Sequence, residues 1–169
     1  LRLEHPVEIV VHPYAGGKVR IVRDIDIALG LEPSFRGAML QKGMIYLQMK
    51  QNNEAEMLFQ KVLDISPEDE QSEILYNIAN TYFFLKMYPE TIEWCRKITS
   101  AYPDEQLEAL FLIACSHYYM NDIEACLSQL TTIWRINDHR FGDEFLIGKR
   151  FNAMFTNLVT LNKNNSLFE

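Results

Sequence analysis

Small residues return along this chain at steps of 36 and then 35 positions. Gly43, Ala79 and Ala114 fill one recurring slot, Ala55, Thr91 and Cys126 fill a second, and Pro67, Pro103 and Asp138 close each unit. A period of this length is that of helix-pair arrays, in which one unit cannot bury its own apolar face and must stack on its neighbours. The pattern predicts a binding scaffold rather than an enzyme.

The intervening residues read as six helices in three pairs. The first pair takes Phe35 to Met49 and Glu54 to Ile65 around the polar turn Lys50-Gln51-Asn52-Asn53. Ser66-Pro67 ends it, because proline disfavours helix in the residue before it. The second pair takes Ser72 to Leu85 and Pro89 to Tyr102, with Pro89 placed in a first helical turn, where a missing N–H costs nothing. Leu107 to Tyr119 and Ile123 to Arg135 make the third, with Asn121-Asp122 as its turn and N-cap.

In spacing and residue type these units resemble tetratricopeptide repeats: a bulky residue, a small residue and Tyr on the first helix, then Ala, Phe and a closing Pro. Unit one supplies Met39, Gly43, Tyr46, Ala55, Phe59 and Pro67. Unit two supplies Leu75, Ile78, Ala79, Tyr82, Thr91, Cys95 and Pro103. Unit three supplies Leu110, Ile113, Ala114, His117, Cys126, Leu130 and Asp138, and departs furthest from the pattern. The resemblance covers about two-thirds of the chain, by the notion that small residues let helix pairs approach to ~8–10 Å. It implies an all-α, right-handed solenoid of three pairs over residues 34–138, divided as 34–69, 70–105 and 106–138.

Outside the repeats, Phe145, Leu146, Phe151, Met154, Phe155, Leu158 and Leu161 predict a capping helix within 139–161, and 162–169 reads as a polar tail. Residues 1–33 are read as an extended segment leading into a partial helix. Val7 to Val11 and Val19 to Val22 are β-branched runs around Pro13-Tyr14-Ala15-Gly16-Gly17, the signature of a β-hairpin. Against this, Ile21, Ile25, Ala28 and Pro33 fall where a preceding repeat's second helix would put them, so Asp24 to Leu31 is read as helical.

Composition narrows the partner. The chain has 16 Lys and Arg against 23 Asp and Glu, a net charge of −7, so the basic stripe of a nucleic-acid binder is missing. Apolar runs such as Ala109 to Cys115 are far shorter than the ~20 residues a membrane-spanning helix needs. Three cysteines without a CxxC pair suit buried thiols in a reducing compartment, which makes the cytoplasm the expected location.

In tetratricopeptide proteins the ligand lies in a concave groove lined by the first helix of each pair. By helical spacing that stripe is Leu40, Met44 and Leu47, then Tyr76, Asn80, Phe83 and Phe84, then Phe111, Cys115, Tyr118 and Tyr119. Core packing is an equal reading for Leu40, Phe83 and Phe111. Tyr76, Asn80, Tyr118 and Tyr119 fit a wet groove better, since each joins a polar group to a body that can pack. Some family members clamp a carboxylate with Lys, Arg and Asn on this stripe. Here Asn77 and Asn80 stand without a basic companion, which disfavours an anionic ligand and favours an apolar peptide or helix. Two other readings remain: a chaperone shielding a hydrophobic secretion client, similar to small acidic tetratricopeptide chaperones of type III secretion, and assembly or dimerisation through a strand edge of the first segment.

Catalytic constellations are thin, and no cofactor or metal is expected. Gly16-Gly17-Lys18 lacks the rest of a phosphate loop. His5 and His12 with Asp24 and Asp26 have no spacing that fixes a metal geometry, and His117 occupies a packing slot. Cys115 has no histidine at a diagnostic spacing. Glu68-Asp69-Glu70 reads as a solvated loop between units, and Trp94 and Trp134 as packing between repeats.

Overall fold

A computed structural model describes residues 15–136 of the chain. The described residues form seven α-helices and a single 3-10 turn, without a strand. They fall into two compact units that meet in sequence at Ser66 and Pro67.

The first unit holds α1 (Ala15–Leu31), α2 (Arg36–Gln48) and α3 (Asn52–Asp64). Helix α1 corrects the hairpin expectation. Val19 to Val22 and the Ala15-Gly16-Gly17 turn are helical, and the helix predicted from Asp24 begins nine residues earlier. The reason is tertiary: as a helix the segment puts Ile21, Val22, Ile25 and Leu29 on one face, and this face packs on Ala38 and Ile45 of α2. A weak β preference yields to that burial. The other predicted strand, Val7 to Val11, lies outside the described residues, as do the capping helix at 139–161 and the tail at 162–169.

Helices α2 and α3 pack along each other. Gly43 makes room for a ring of the partner helix: a Cβ there would stand 2.4 Å from Cε1 of Phe59 and 2.9 Å from its Cζ. Phe59 is fully buried, as are Ala55 and Val62 beside it on α3. Glycine costs helix propensity here, and the ring it admits repays that in buried area.

The second unit holds α4 (Glu68–Phe84), α5 (Tyr88–Ala101), the 3-10 turn Pro103–Glu105, α6 (Gln106–Tyr119) and α7 (Ile123–Ile136). Helix α5 packs along both α4 and α6, and α4 also touches α6, so two helix pairs stack side by side. The slots that hold Gly43 and Phe59 in the first pair hold Ala79 and Cys95 in the second and Ala114 and Leu130 in the third. These four residues are fully buried. Thr91, in the slot of Ala55, is also buried, and its hydroxyl donates to the Met87 carbonyl at 2.9 Å. Trp94 stacks on Tyr82 of its own pair at 6.2 Å, with the Lys97 ammonium over its ring.

Helix α4 starts at Glu68, four residues before the expected Ser72. Glu68, Asp69 and Glu70 are thus its first turn and not a loop. Carboxylates there face the positive end of the helix dipole.

All three intra-pair turns are built alike. Lys50, Lys86 and Asn121 adopt φ of 62°, 62° and 61°, and they are separated by the same 36 and 35 positions as the small residues. Each donates its N–H to a carbonyl three residues back (Leu47, Phe83, Tyr118), and the next N–H reaches five residues back (Tyr46, Tyr82, His117). This left-handed double bond is the Schellman ending of a helix. In the third turn Asp122 also accepts from the Ala125 N–H at 3.2 Å and so caps α7 as expected.

Burial decides the cysteine chemistry. Cys95 and Cys126 are buried, and desolvation pushes both thiols up to about 12 from 9.0, whereas Cys115 is half-buried. In the unfolded chain these thiols ionise near 9, so between pH 9 and 12 the folded chain holds more protons and stability falls as pH rises. A thiol reagent at neutral pH should label Cys115 first and reach the other two only on unfolding. Equal labelling of all three in the folded protein would contradict this packing.

Candidate functional site

The candidate groove lies in the second unit, along the neighbouring faces of α4 and α6. Tyr76, Asn80 and Phe83 recur at four and three residues on α4, and Phe111, Cys115 and Tyr119 at four and four on α6. Tyr76, Asn80, Phe83, Phe111 and Cys115 are half-buried. Tyr76 shares a side-chain hydrogen bond with Asn80 and lies near Glu108, Cys95 and Cys115. Burial raises its hydroxyl pKa above 10.0, the Asn80 bond opposes the shift, and Glu108 adds to it.

At the C-terminal ends of α4 and α6 the stripe becomes an aromatic cluster. Phe83 meets Tyr119 edge to face at 5.7 Å and Tyr88 at 5.6 Å, and Tyr88 and Tyr119 stack at 5.5 Å with planes 9° apart. Phe84 and Tyr118 extend the cluster, edge-on to Phe83 and Tyr119. Their faces are open to solvent: Phe84 is 79% exposed, Tyr119 61% and Tyr118 43%. Three exposed aromatic rings joined through one set of ring contacts are costly in water, and exposed apolar patches of this kind mark interaction surfaces.

The other end of the groove is acidic. Glu73, Tyr76, Asp104, Leu107 and Glu108 border a cleft of about 460 Å³ together with Ser72 and Ile98. A second hollow of about 400 Å³, beside Glu68, Asp69 and Tyr102, adjoins it through Ser72. Among the described residues no basic side chain lines either.

Of the expected groove residues, the structure joins Phe83, Phe84, Tyr118 and Tyr119 in one set of ring contacts, and Tyr76 with Asn80. Tyr88 belongs to the same set and was missed, because it opens a second helix whereas the stripe was sought on first helices. Leu40 and Met44 are half-buried on α2 in the first unit. Leu47 is only 3% exposed and is corrected from groove to core, since a side chain closed off from solvent offers no surface to a ligand.

Among the described residues no group of three His, Cys, Asp or Glu comes together as a metal site, and no helix is long and apolar enough to cross a membrane. Asp26 pairs with Lys42 of α2, whose pKa is raised: burial lowers it, and the bonds to Asp26 and Tyr46 outweigh that. His5 and His12 lie outside the described residues. His117 sits 3.2 Å from the Asp122 carboxylate, so it serves the turn.

Recurrent helix pairs, interlocked through small residues and closed by one kind of turn, define a helix-pair repeat protein. Residues 37–69 and 72–105 each match the family model of the tetratricopeptide repeat. These two segments are tetratricopeptide repeats. No curated protein matches the chain significantly. The family's members are typically modules of protein–protein interaction.

Proposed function

We propose that the chain is a non-catalytic adaptor that holds an apolar peptide or helix in the groove of its first helices. The observation that carries this reading is the cluster of ring contacts among Phe83, Phe84, Tyr88, Tyr118 and Tyr119, of which Phe84, Tyr118 and Tyr119 are exposed. Rings already locked against one another lose little freedom when a partner arrives, so binding orders mainly the partner. Aromatic residues are also the commonest energetic anchors of protein interfaces. In this reading α6 and α7 form a third repeat beyond the matched segments, supported by the shared slots and the third Schellman turn. Cytoplasmic location and a larger assembly follow as expectations. Client shielding for secretion would use the same surface and differs in that the client becomes soluble only on co-expression.

The Tyr118→Ala/Tyr119→Ala double variant tests the assignment. Both side chains are exposed, so helicity and melting temperature should hardly change, whereas capture of a partner peptide should weaken by roughly 30-fold or more, as for two hot-spot residues. Undiminished affinity in a variant with intact helicity rejects the groove.

A further inference from the structure

The groove has two chemically different ends, and this fixes what kind of peptide fits it. On α4, eleven residues separate Glu73 from Phe84. On α6, eleven separate Glu108 from Tyr119. At 1.5 Å per residue each interval is about 16 Å, so the acidic cleft and the aromatic cluster sit at opposite ends of one pair of helix faces. The wall between them, Tyr76, Asn80, Phe111 and Cys115, carries no charge.

We infer that the partner is a cationic, polarised peptide: an apolar or aromatic anchor seated on Phe84, Tyr118 and Tyr119, and a Lys or Arg about 16 Å away in the cleft of Glu73, Asp104 and Glu108. This rests on the groove reading above and deepens it. Charge complementarity selects the occupant. Among the described residues the cleft is lined by three carboxylates and no cation, on a chain of net charge −7, so an acidic or neutral end placed there gains nothing or is repelled. The half-buried Tyr76 ring and Leu107 offer apolar walls for the methylene stem of a long basic side chain, leaving its charged head to the carboxylates. The span sets the spacing. An extended peptide rises about 3.3 Å per residue, so its anchor and its cation stand roughly five residues apart. A helical one needs about eleven.

The test is selection of a random 12-residue peptide library, displayed on phage, against the full chain, followed by affinity measurement of the selected peptides on the parent, on Tyr118→Ala/Tyr119→Ala and on Glu73→Gln/Glu108→Gln. The expected outcome is enrichment of Lys or Arg at a fixed distance from an aromatic or aliphatic anchor. Glu73→Gln/Glu108→Gln should then bind about tenfold more weakly in low salt, two- to five-fold per solvent-accessible charge, with the gap closing at high salt. Peptides that lose affinity with the tyrosine variant but show no basic residue, or no loss with the glutamate variant, overturn the polarity and leave the groove standing. Peptides indifferent to the tyrosine variant overturn both.

Discussion

Replacing Gly43 by Ala is expected to destabilise the protein, although alanine is the better helix former. On an open helix surface the change would gain about 1 kcal/mol. Here the added methyl would lie 2.4 Å from Cε1 of a fully buried ring, far inside van der Waals contact, so the ring or the helices must shift. Overpacking of this kind costs about 1–3 kcal/mol and more when the neighbour cannot yield. A net loss of about 2 kcal/mol, or roughly 5 °C in melting temperature, is the expected result. The other pairs supply the remedy. Where the first-helix residue is Ala114, its partner slot holds Leu130. Phe59→Leu alone should cost stability by leaving a void, about 1–3 kcal/mol. Combined with Gly43→Ala it should cost at least 1 kcal/mol less than the sum of the two single changes. Strict additivity in the cycle would mean that the two positions do not interlock.

Arg23→Pro is the second large effect. Arg23 is exposed in the middle of α1, so its replacement removes no buried side chain. Proline there deletes a helical hydrogen bond and collides with the preceding turn, at a cost of about 3 kcal/mol or more. The apolar face of Ile21, Val22, Ile25 and Leu29 would lose its register on Ala38 and Ile45. Circular dichroism should show lost helicity, and hydrogen exchange should quicken across α1 and the N-terminal part of α2. Arg23→Ala should stay within about 0.5 kcal/mol of the parent. If proline and alanine behave alike, α1 is not the helix that closes this unit.

What the sequence made legible followed from sterics repeated at a fixed period. Gly43, Ala79 and Ala114 were visible because a close helix crossing tolerates only small residues, and polar residues marked the first and third turns, although Asn52 and Asn53, read as part of the first, open α3. What stayed hidden has physical reasons. Lys50 and Lys86 take a left-handed conformation usually given to Gly or Asn, and nothing in a lysine announces it. Val19 to Val22 read as strand because β-branched residues favour one locally, until a helical neighbour offers a face to bury against. Glu68 to Glu70 looked like a loop because first-turn carboxylates and solvated loops have the same composition. At the candidate site, spacing found four of the five clustered rings. It missed Tyr88, which approaches from the following helix, and it included Leu47, since a stripe drawn by counting does not say where the groove ends and the core begins.

The central claim is that the ring cluster at the ends of α4 and α6 is the gripping surface. Its most direct test is a nuclear magnetic resonance titration of the labelled full chain with a library-selected peptide, following the aromatic ring signals. The account predicts that Phe83, Phe84, Tyr88, Tyr118 and Tyr119 shift together and saturate at one stoichiometric equivalent, with Tyr76 following. Saturating shifts confined to residues elsewhere, with these five rings unmoved, would contradict it.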